Sequence, residues 1–551
     1  MPLGILEDRK LEHVPGTAPL NEIGREDSEI AGVDAGLLKH DASGEIILVP
    51  QPSDSPNDPY NWPRWKKEAF TWAFAYGCGC VGAVGPLLGA AFVPLAKEWD
   101  TDLTTFISGA QGGVIATIAG GSLLWNTLAV KYGKRPVYLI TSVGLAVTCF
   151  WAAAANTFGN FVAARVVQGL CMSPMEALIP ASIADIWFVH ERGYRTAIFN
   201  LGVLGGINLA TPIAGAIIEA SGWRTCMNAM GGAFILQLIL TFFFMPESAF
   251  DRTGTINIDT GKKNVVTDKM IDSEHVEQDE KGAASTTTAT HSPPQLSASE
   301  PKMSFWQEMK PWSGYVHHVS IWDTCVRPFF LLASPAVAWA TLLFTTCISW
   351  LVGISITLSQ IFSAPPYNFS VRSVGATNLS SFVASVLGTL VAGPLIDGIV
   401  KRMSKRNKGI FEPEFRLPVM VTYLLFTATG FFGWGQSAYA QEPWAVPVVL
   451  CMGIINFGIQ LGTTGVVAYV VDCHREQAGE AFAVMNFVKN MFAFGMTFYI
   501  NNWIAIQGVR DCFFTIGGIT IACTLVTVPM YIYGKRARSF VARHNIAKRT
   551  S

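Results

Sequence analysis

An all-α membrane protein of twelve transmembrane helices, arranged as two six-helix bundles, is the fold this sequence predicts. Three observations predict it. About twelve apolar stretches each supply the roughly 20 residues needed to cross a bilayer. They fall into two groups of six around a polar insert, Phe250 to Asp323. Of 551 residues, 50% are hydrophobic and 14% are charged, whereas a soluble domain carries about 25% charged residues.

In the first half the spans read Lys67–Pro94, Thr104–Trp125, Pro136–Ala155, Phe161–Ala184, Thr196–Glu219 and Thr225–Met245. In the second half they read Phe329–Phe362, Val371–Val400, Leu417–Gly435, Trp444–Val471, Ala481–Trp503 and Asp511–Tyr533. The chain divides into a polar tail (1–66), a first bundle (67–248), a linker (249–326), a second bundle (327–534) and a basic tail (535–551). Met1 to Arg64 are polar, so the first apolar run is expected to act as an uncleaved targeting signal.

Loop charges set the expected orientation. One side carries Arg64, Lys66, Lys67, Lys131, Lys134, Arg135, Arg192, Arg195, Lys401, Arg402, Lys405, Arg406, Lys408, Lys535, Arg536 and Arg538. The other carries Lys97, Arg224, Arg372 and Arg510. Both termini and the linker are therefore expected in the cytoplasm, which an even number of spans also requires. The linker holds Asp272-Ser-Glu-His-Val-Glu-Gln-Asp-Glu-Lys281 and then Thr/Ala/Ser/Pro-rich sequence to Lys302. It has too little apolar surface to fold alone and reads as a disordered connection.

Net charge is −1, so nothing draws the chain to nucleic acid. Most of the eleven cysteines lie in apolar runs, as small hydrophobes do. Cys78-Gly-Cys80 lacks the partner pair of a zinc site. No metal or cofactor is expected. The nine histidines do not cluster, and nothing suggests an enzyme. The halves carry traces of a repeat: Gly222-Trp-Arg-Thr-Cys226 precedes the sixth span and Gly508-Val-Arg-Asp-Cys512 the twelfth. Parallel six-span repeats with a site between them are one transporter architecture.

Charge inside a membrane helix is expensive and marks function. Glu176, in the fourth span, is the first candidate. Desolvation disfavours a charged carboxyl, which suits proton exchange. Arg165 lies eleven residues earlier on the same helical face, roughly 16 Å away. Both are expected to face one aqueous cavity, or each to satisfy a neighbouring helix. Lys489 follows Asn486 on one face of the eleventh span. It either neutralises a carboxylate or snorkels towards the cytoplasm. Asn456, Gln460 and Thr463 form one stripe, and Asn208 and Thr211 another. Such groups line a polar cavity or bond across helices. Gly205, Pro212 and Gly215 allow close packing of the fifth span at a contact that must slide. Trp72, Tyr76 and Trp350 are candidates for stacking on an organic cation. Asn368-Phe-Ser370 is a glycosylation sequon in an external loop; Asn378-Leu-Ser380 matches but falls inside a span.

Several motifs resemble those of the major facilitator superfamily, in its fungal drug:proton antiporter-like branch. Asn57-Asp-Pro-Tyr-Asn-Trp-Pro-Arg-Trp-Lys66 resembles the signature before the first helix. Leu128-Ala-Val-Lys-Tyr-Gly-Lys-Arg-Pro136 resembles the loop between helices two and three, with Val130 where an acid is usual. Arg165-Val-Val-Gln-Gly169 is similar to the fourth-helix arginine motif, and Gly202 to Gly215 to the fifth-helix antiporter motif. Met245-Pro-Glu-Ser248 ends helix six as in relatives, and Gly393-Pro-Leu-Ile-Asp397 keeps an acid in the second half.

The resemblance implies a proton-coupled exporter of a small organic compound (a drug, toxin or secondary metabolite) working by alternating access. Its alternative is an importer of polyamines or other organic cations. Glu176, Arg165, Asn208, Asn456, Gln460, Asn486 and Lys489 are then the proton and substrate candidates. Gly133, Arg135, Asp397, Gly205, Pro212 and Gly215 are the gating and structural ones. The expected partners are an organic small molecule, protons and the lipid bilayer, with the chain acting as a monomer. The expected location is the plasma membrane, with the vacuolar membrane as the alternative.

Overall fold

The chain is described from a computed structural model at residues 51–250, 301–312, 320–407, 410–474 and 477–544, with 3–8, 10, 14, 16–19, 39, 48 and 314. The Asp272–Lys281 tract lies outside the described residues. The principal helices are α1 (Arg64–Val84), α2 (Gly113–Tyr132), α3 (Lys134–Ala153), α4 (Phe158–Ala177), α5 (Val189–Ser221) and α6 (Trp223–Phe244). After the linker come α7 (Pro335–Phe362), α8 (Asn378–Arg406), α9 (Val419–Tyr439), α10 (Met452–Cys473), α11 (Ala478–Gln507) and α12 (Val509–Leu525). Among the described residues eleven segments are long and apolar enough to cross a membrane. The exception, α11, has 30 residues, about 45 Å of helix. Asn486, Lys489 and Asn490 dilute its apolar character.

The sequence spans hold with shifted ends. The first breaks after Val84, where Gly85-Pro86 intervenes, and resumes at Phe92–Glu98. Proline has no N–H for the helix ladder. The basic tail is not free either: Thr527–Arg543 is helical and Arg538 is buried.

Each half packs alike. In the first, α1 lies on α5, α2 on α4 and α3 on α6; in the second, α7 lies on α11, α8 on α10 and α9 on α12. The halves meet along α2 with α11 and α5 with α8, corresponding positions in the two repeats. The repeated glycines have a backbone reason. Gly222 (φ 84°) and Gly508 (φ 86°) each end one helix and begin the next in the left-handed region.

Small residues bring α5 against the second half. A Cβ on Gly375 would lie 2.6 Å from the Thr211 carbonyl oxygen, and one on Gly215 would lie 2.9 Å from that of Val371. Gly205 sits nearest the Phe382 ring, and Pro212 lies inside α5. Gly375→Val is therefore expected to separate α5 from the segment leading into α8. The expected penalty is about 1–3 kcal/mol, read as a lower melting temperature of the purified carrier, together with reduced flux. An unchanged melting temperature would mean that the contact yields freely.

The linker departs from the expectation of disorder at its end. Phe305–Glu308 is a short helix, and Glu308 pairs with Lys66 at 2.6 Å. Buried Arg135 donates to the carbonyls of Met245 (2.5 Å), Phe242 (2.9 Å), Met309 (2.9 Å) and Lys310 (3.0 Å). It thus closes the end of α6 and fastens the linker to it. A further helix, Ile321–Phe330, precedes α7.

The N-terminal tail is likewise docked, and on the second half. Ala18 and Pro19 pair with Phe411 and Ile410 in a short antiparallel ladder. Leu6 N–H donates to Ile532 O at 3.0 Å, and the Ser539 hydroxyl to Asp8 at 2.5 Å. Ile5 is fully buried.

Candidate functional site

Pro174 shapes the last turn of α4. It cannot donate to the Leu170 carbonyl; the Trp125 indole and the Ser173 hydroxyl do so instead, each at 2.9 Å. Side-chain donors commonly repair a proline kink in membrane helices. Two residues on, Glu176 points into a cavity of about 150 Å³ between the halves. The cavity lies among α1, α2, α4 and α5 on one side and α7, α8, α10 and α11 on the other.

Glu176 and Lys489 are the only charged side chains lining it among the described residues, and they pair with each other across the halves. Lys489 is 6% exposed and Glu176 22%. The ammonium also stands 5.7 Å from the Phe344 ring. Asn208 makes the second polar crossing, donating to Ser385 Oγ at 3.1 Å. Asn456 donates to Ser381 Oγ at 3.0 Å and to Met452 O at 2.9 Å. Gln111, Ser355, Asn378 and Asn490 complete the polar lining, and Asn490 Nδ2 has no partner among the described residues. The rest is apolar, including Met172, Met175, Ile348 and Leu351.

Arg165 does not face this cavity. It is 1% exposed and donates to Val84 O (3.2 Å), Gly85 O (3.2 Å), Ala110 O (3.1 Å) and Gln168 Oε1 (2.6 Å). Helix α1 stops at Val84, and its last carbonyls lack helical donors. A guanidinium with five donors fills that gap, so Arg165 ties α1 to α2 and α4. Gln460 turns to Thr389 at 2.8 Å, and Asn486 is buried with Oδ1 unpartnered; neither lines the cavity. Trp72 is 60% exposed on the outer surface. Tyr76 donates to Ala233 O, and Trp350 packs on Phe492. None of these aromatics reaches the cavity.

The motif residues act at the basic-loop end. Gly133 (φ 91°) starts α3, and Glu247 accepts from the Lys134 and Arg135 N–H groups at 3.0 Å each. A carboxylate at a helix N-terminus meets both free donors and the dipole. This is what Met245-Pro-Glu-Ser248 supplies. Lys134 pairs with Asp185 at 2.5 Å. Asp397 of the second half is exposed and makes no ion pair among the described residues. In the second half Arg416 pairs with Asp472 at 2.5 Å, and Arg538 holds Glu412 and Glu414 at 2.8 Å each.

At the opposite end the halves are closed by Glu219, which accepts from Arg372 N–H at 2.9 Å, and by Ser359, which donates to Ala90 O at 3.4 Å. Asn368 is exposed there.

The sequence reading passed over Gln111, Asn378 and Asn490. Asn490 was legible as the amide beside Lys489. Asn378 was set aside as a sequon in a span, although an amide in a membrane helix is itself a signal. Gln111 sits in a π-helical stretch, Ser108–Gly112, with no pattern to expose it.

The comparisons agree with this geometry. The family model described as Major Facilitator Superfamily matches residues 72–497. An uncharacterized MFS-type transporter of Schizosaccharomyces pombe is 25% identical over 97% of this chain and 94% of its own. The multidrug transporter DTR1 of Candida glabrata is 27% identical over 80% of each. The solved proton:xylose symporter XylE superposes with TM-score 0.59 at 13% identity, over 85% of this chain and 97% of that one; this likeness concerns the fold. Two repeats closing on one charged cavity, and a family match across both of them, place the chain in the major facilitator superfamily, in its fungal drug-antiporter-like branch.

Proposed function

We propose that this carrier exports a small organic compound in exchange for protons, with Glu176 as the group that takes the proton. The observation that carries the reading is the ion pair of Glu176 with Lys489, one charge from each half, inside the cavity both halves line. A proton on Glu176 removes its charge and so weakens the charge-assisted hold of Lys489 on it, leaving a neutral hydrogen bond beside that of Asn208 to Ser385. Proton binding thus changes the balance between closed and open arrangements, which is what coupling requires. Mostly apolar walls with a few amides suit an amphipathic organic cargo. The resemblance to a multidrug transporter favours export.

Import of an organic cation is the second reading. It draws on the fact that Glu176 already holds an ammonium. In both readings the basic loops, the linker and the termini face the cytoplasm, and the plasma membrane is the site of action. Asn368 then faces outward, and Asn368→Gln is expected to remove one glycan and increase gel mobility. Identical mobility of the two proteins, with and without glycosidase, would reverse that assignment.

The test of direction is untargeted mass spectrometry of cells and medium, comparing a deletion strain with an overexpresser. A compound retained by the deletion strain and released by the overexpresser establishes export and names the cargo. A compound left in the deletion strain's medium and depleted by the overexpresser establishes import.

A further inference from the structure

Ile321–Phe330 turns only a narrow side to the protein. Thr324 and Pro328 are buried, and Arg327 reaches Glu480 at 3.5 Å. The helix rests on α2 of the first half and α11 of the second. Its outward side is mostly apolar: Ile321 is 40% exposed, Trp322 75%, Phe329 37% and Phe330 52%, with Asp323 the exposed charge in the first turn. A helix bathed in water has the opposite arrangement. Leaving such side chains in water forgoes the free energy that burying their apolar surface would release.

A second piece shares the feature. The short helix Phe305–Glu308 is anchored by Glu308 to Lys66, at the start of α1, and leaves Phe305 51% and Trp306 72% exposed. Both pieces lie level with the ends of spanning helices. Ile321–Phe330 runs through Leu331–Ala333 straight into α7, and Lys66 lies in the first turn of α1. Tryptophan and phenylalanine at that depth fit the boundary between headgroups and acyl chains.

We infer that these two pieces of the linker, 303–310 and 321–330, lie on the bilayer at the basic-loop end, with Trp306 and Trp322 inserted among the lipids. The occupant of the apolar surface is the membrane that the spans cross: Glu308 fastens one piece to the start of α1, where Trp65 and Trp72 are 69% and 60% exposed, and the other leads into α7, where Leu342 is 38% exposed. The linker's end is then an anchored plate. Ile321–Phe330 touches both halves, so it lies across the seam along which they part.

Photocrosslinking of the full-length protein in lipid nanodiscs tests this. Trp306 or Trp322 is replaced by p-benzoylphenylalanine, which keeps an aromatic side chain, and Leu390, 67% exposed on α8, serves as the lipid-facing reference. The expected result is a lipid adduct at 306 and at 322 with a yield like that at 390. Adducts to a second copy of the chain, or no adduct at either position while 390 reacts, would overturn the inference. Hydroxyl-radical labelling of the unsubstituted protein gives an independent reading. Trp306 and Trp322 should be oxidised far less than free tryptophan, and oxidation at the rate of free tryptophan would equally overturn it.

Discussion

A Glu176→Gln carrier folds, reaches the membrane and gives no proton-driven flux above that of cells lacking it. Glutamine keeps the length of the side chain and a carbonyl that accepts from Lys489. It carries no charge and takes no proton. The variant therefore keeps most of the contact across the cavity and loses the step that changes it. Removing one partner of a buried pair leaves the other charge exposed to a poor medium, and costs up to about 3–5 kcal/mol where burial is complete. Glu176 is 22% exposed, so water softens that penalty. The double variant Glu176→Gln/Lys489→Met separates the two effects. It should recover the melting temperature lost by the single variant while flux stays absent. Wild-type flux from Glu176→Gln, measured against an imposed pH gradient in proteoliposomes, would end the assignment.

The largest expected loss of stability is at Arg538. Its guanidinium donates to Glu414 Oε1 at 3.0 Å, to Glu414 Oε2 at 2.8 Å and to Glu412 Oε2 at 2.8 Å. Both carboxylates are fully buried. Arg538→Met leaves Glu414 without a cation and Glu412 with Lys535 alone, at 2.5 Å. The expected penalty is about 3–5 kcal/mol. Arg538→Lys should rescue little, because an ammonium cannot fill the forked geometry. The cluster also predicts a pH dependence. Burial raises the Glu412 carboxyl, but Lys535, Arg538 and Thr17 outweigh it and hold the carboxyl below its ordinary value. A carboxyl lowered in the folded state gives stability that is full above the ordinary carboxylate range, near pH 4–5, and lost as pH falls through the lower folded value. Melting temperature should thus be level from neutral pH to about 5 and fall below it. Arg538→Met should start lower and lose less on acidification. A melting temperature unchanged by Arg538→Met would mean that the cluster is not buried.

The halves, their spans and the leading carboxylate were legible because a bilayer demands long apolar runs and penalises charge. Glu176 and Lys489 stood out on those grounds, yet their pairing joins residues 313 positions apart, which spacing along one helix cannot disclose. Arg165 carried the same signal for a different reason. Its task depends on the break at Gly85-Pro86 in another helix. Asp397 was assigned by its motif alone, and the described residues give it no ion pair from which a task could be read. The docked tail and linker were missed because their partners are backbone carbonyls and short ladders, which leave no periodicity in a polar sequence.

The docking of residues 3–8 and 16–19 on residues 410–414 and 531–539 has a consequence for biosynthesis. Its side-chain partners lie 395 (Thr17 to Glu412) to 531 (Asp8 to Ser539) positions further along the chain. At about 5–20 residues per second, the segment waits roughly 25–100 s for its binding surface to be synthesised. The first bundle can assemble on its own schedule in that interval. The second is finished only when that segment returns to it, so its completion follows the synthesis of both docking partners.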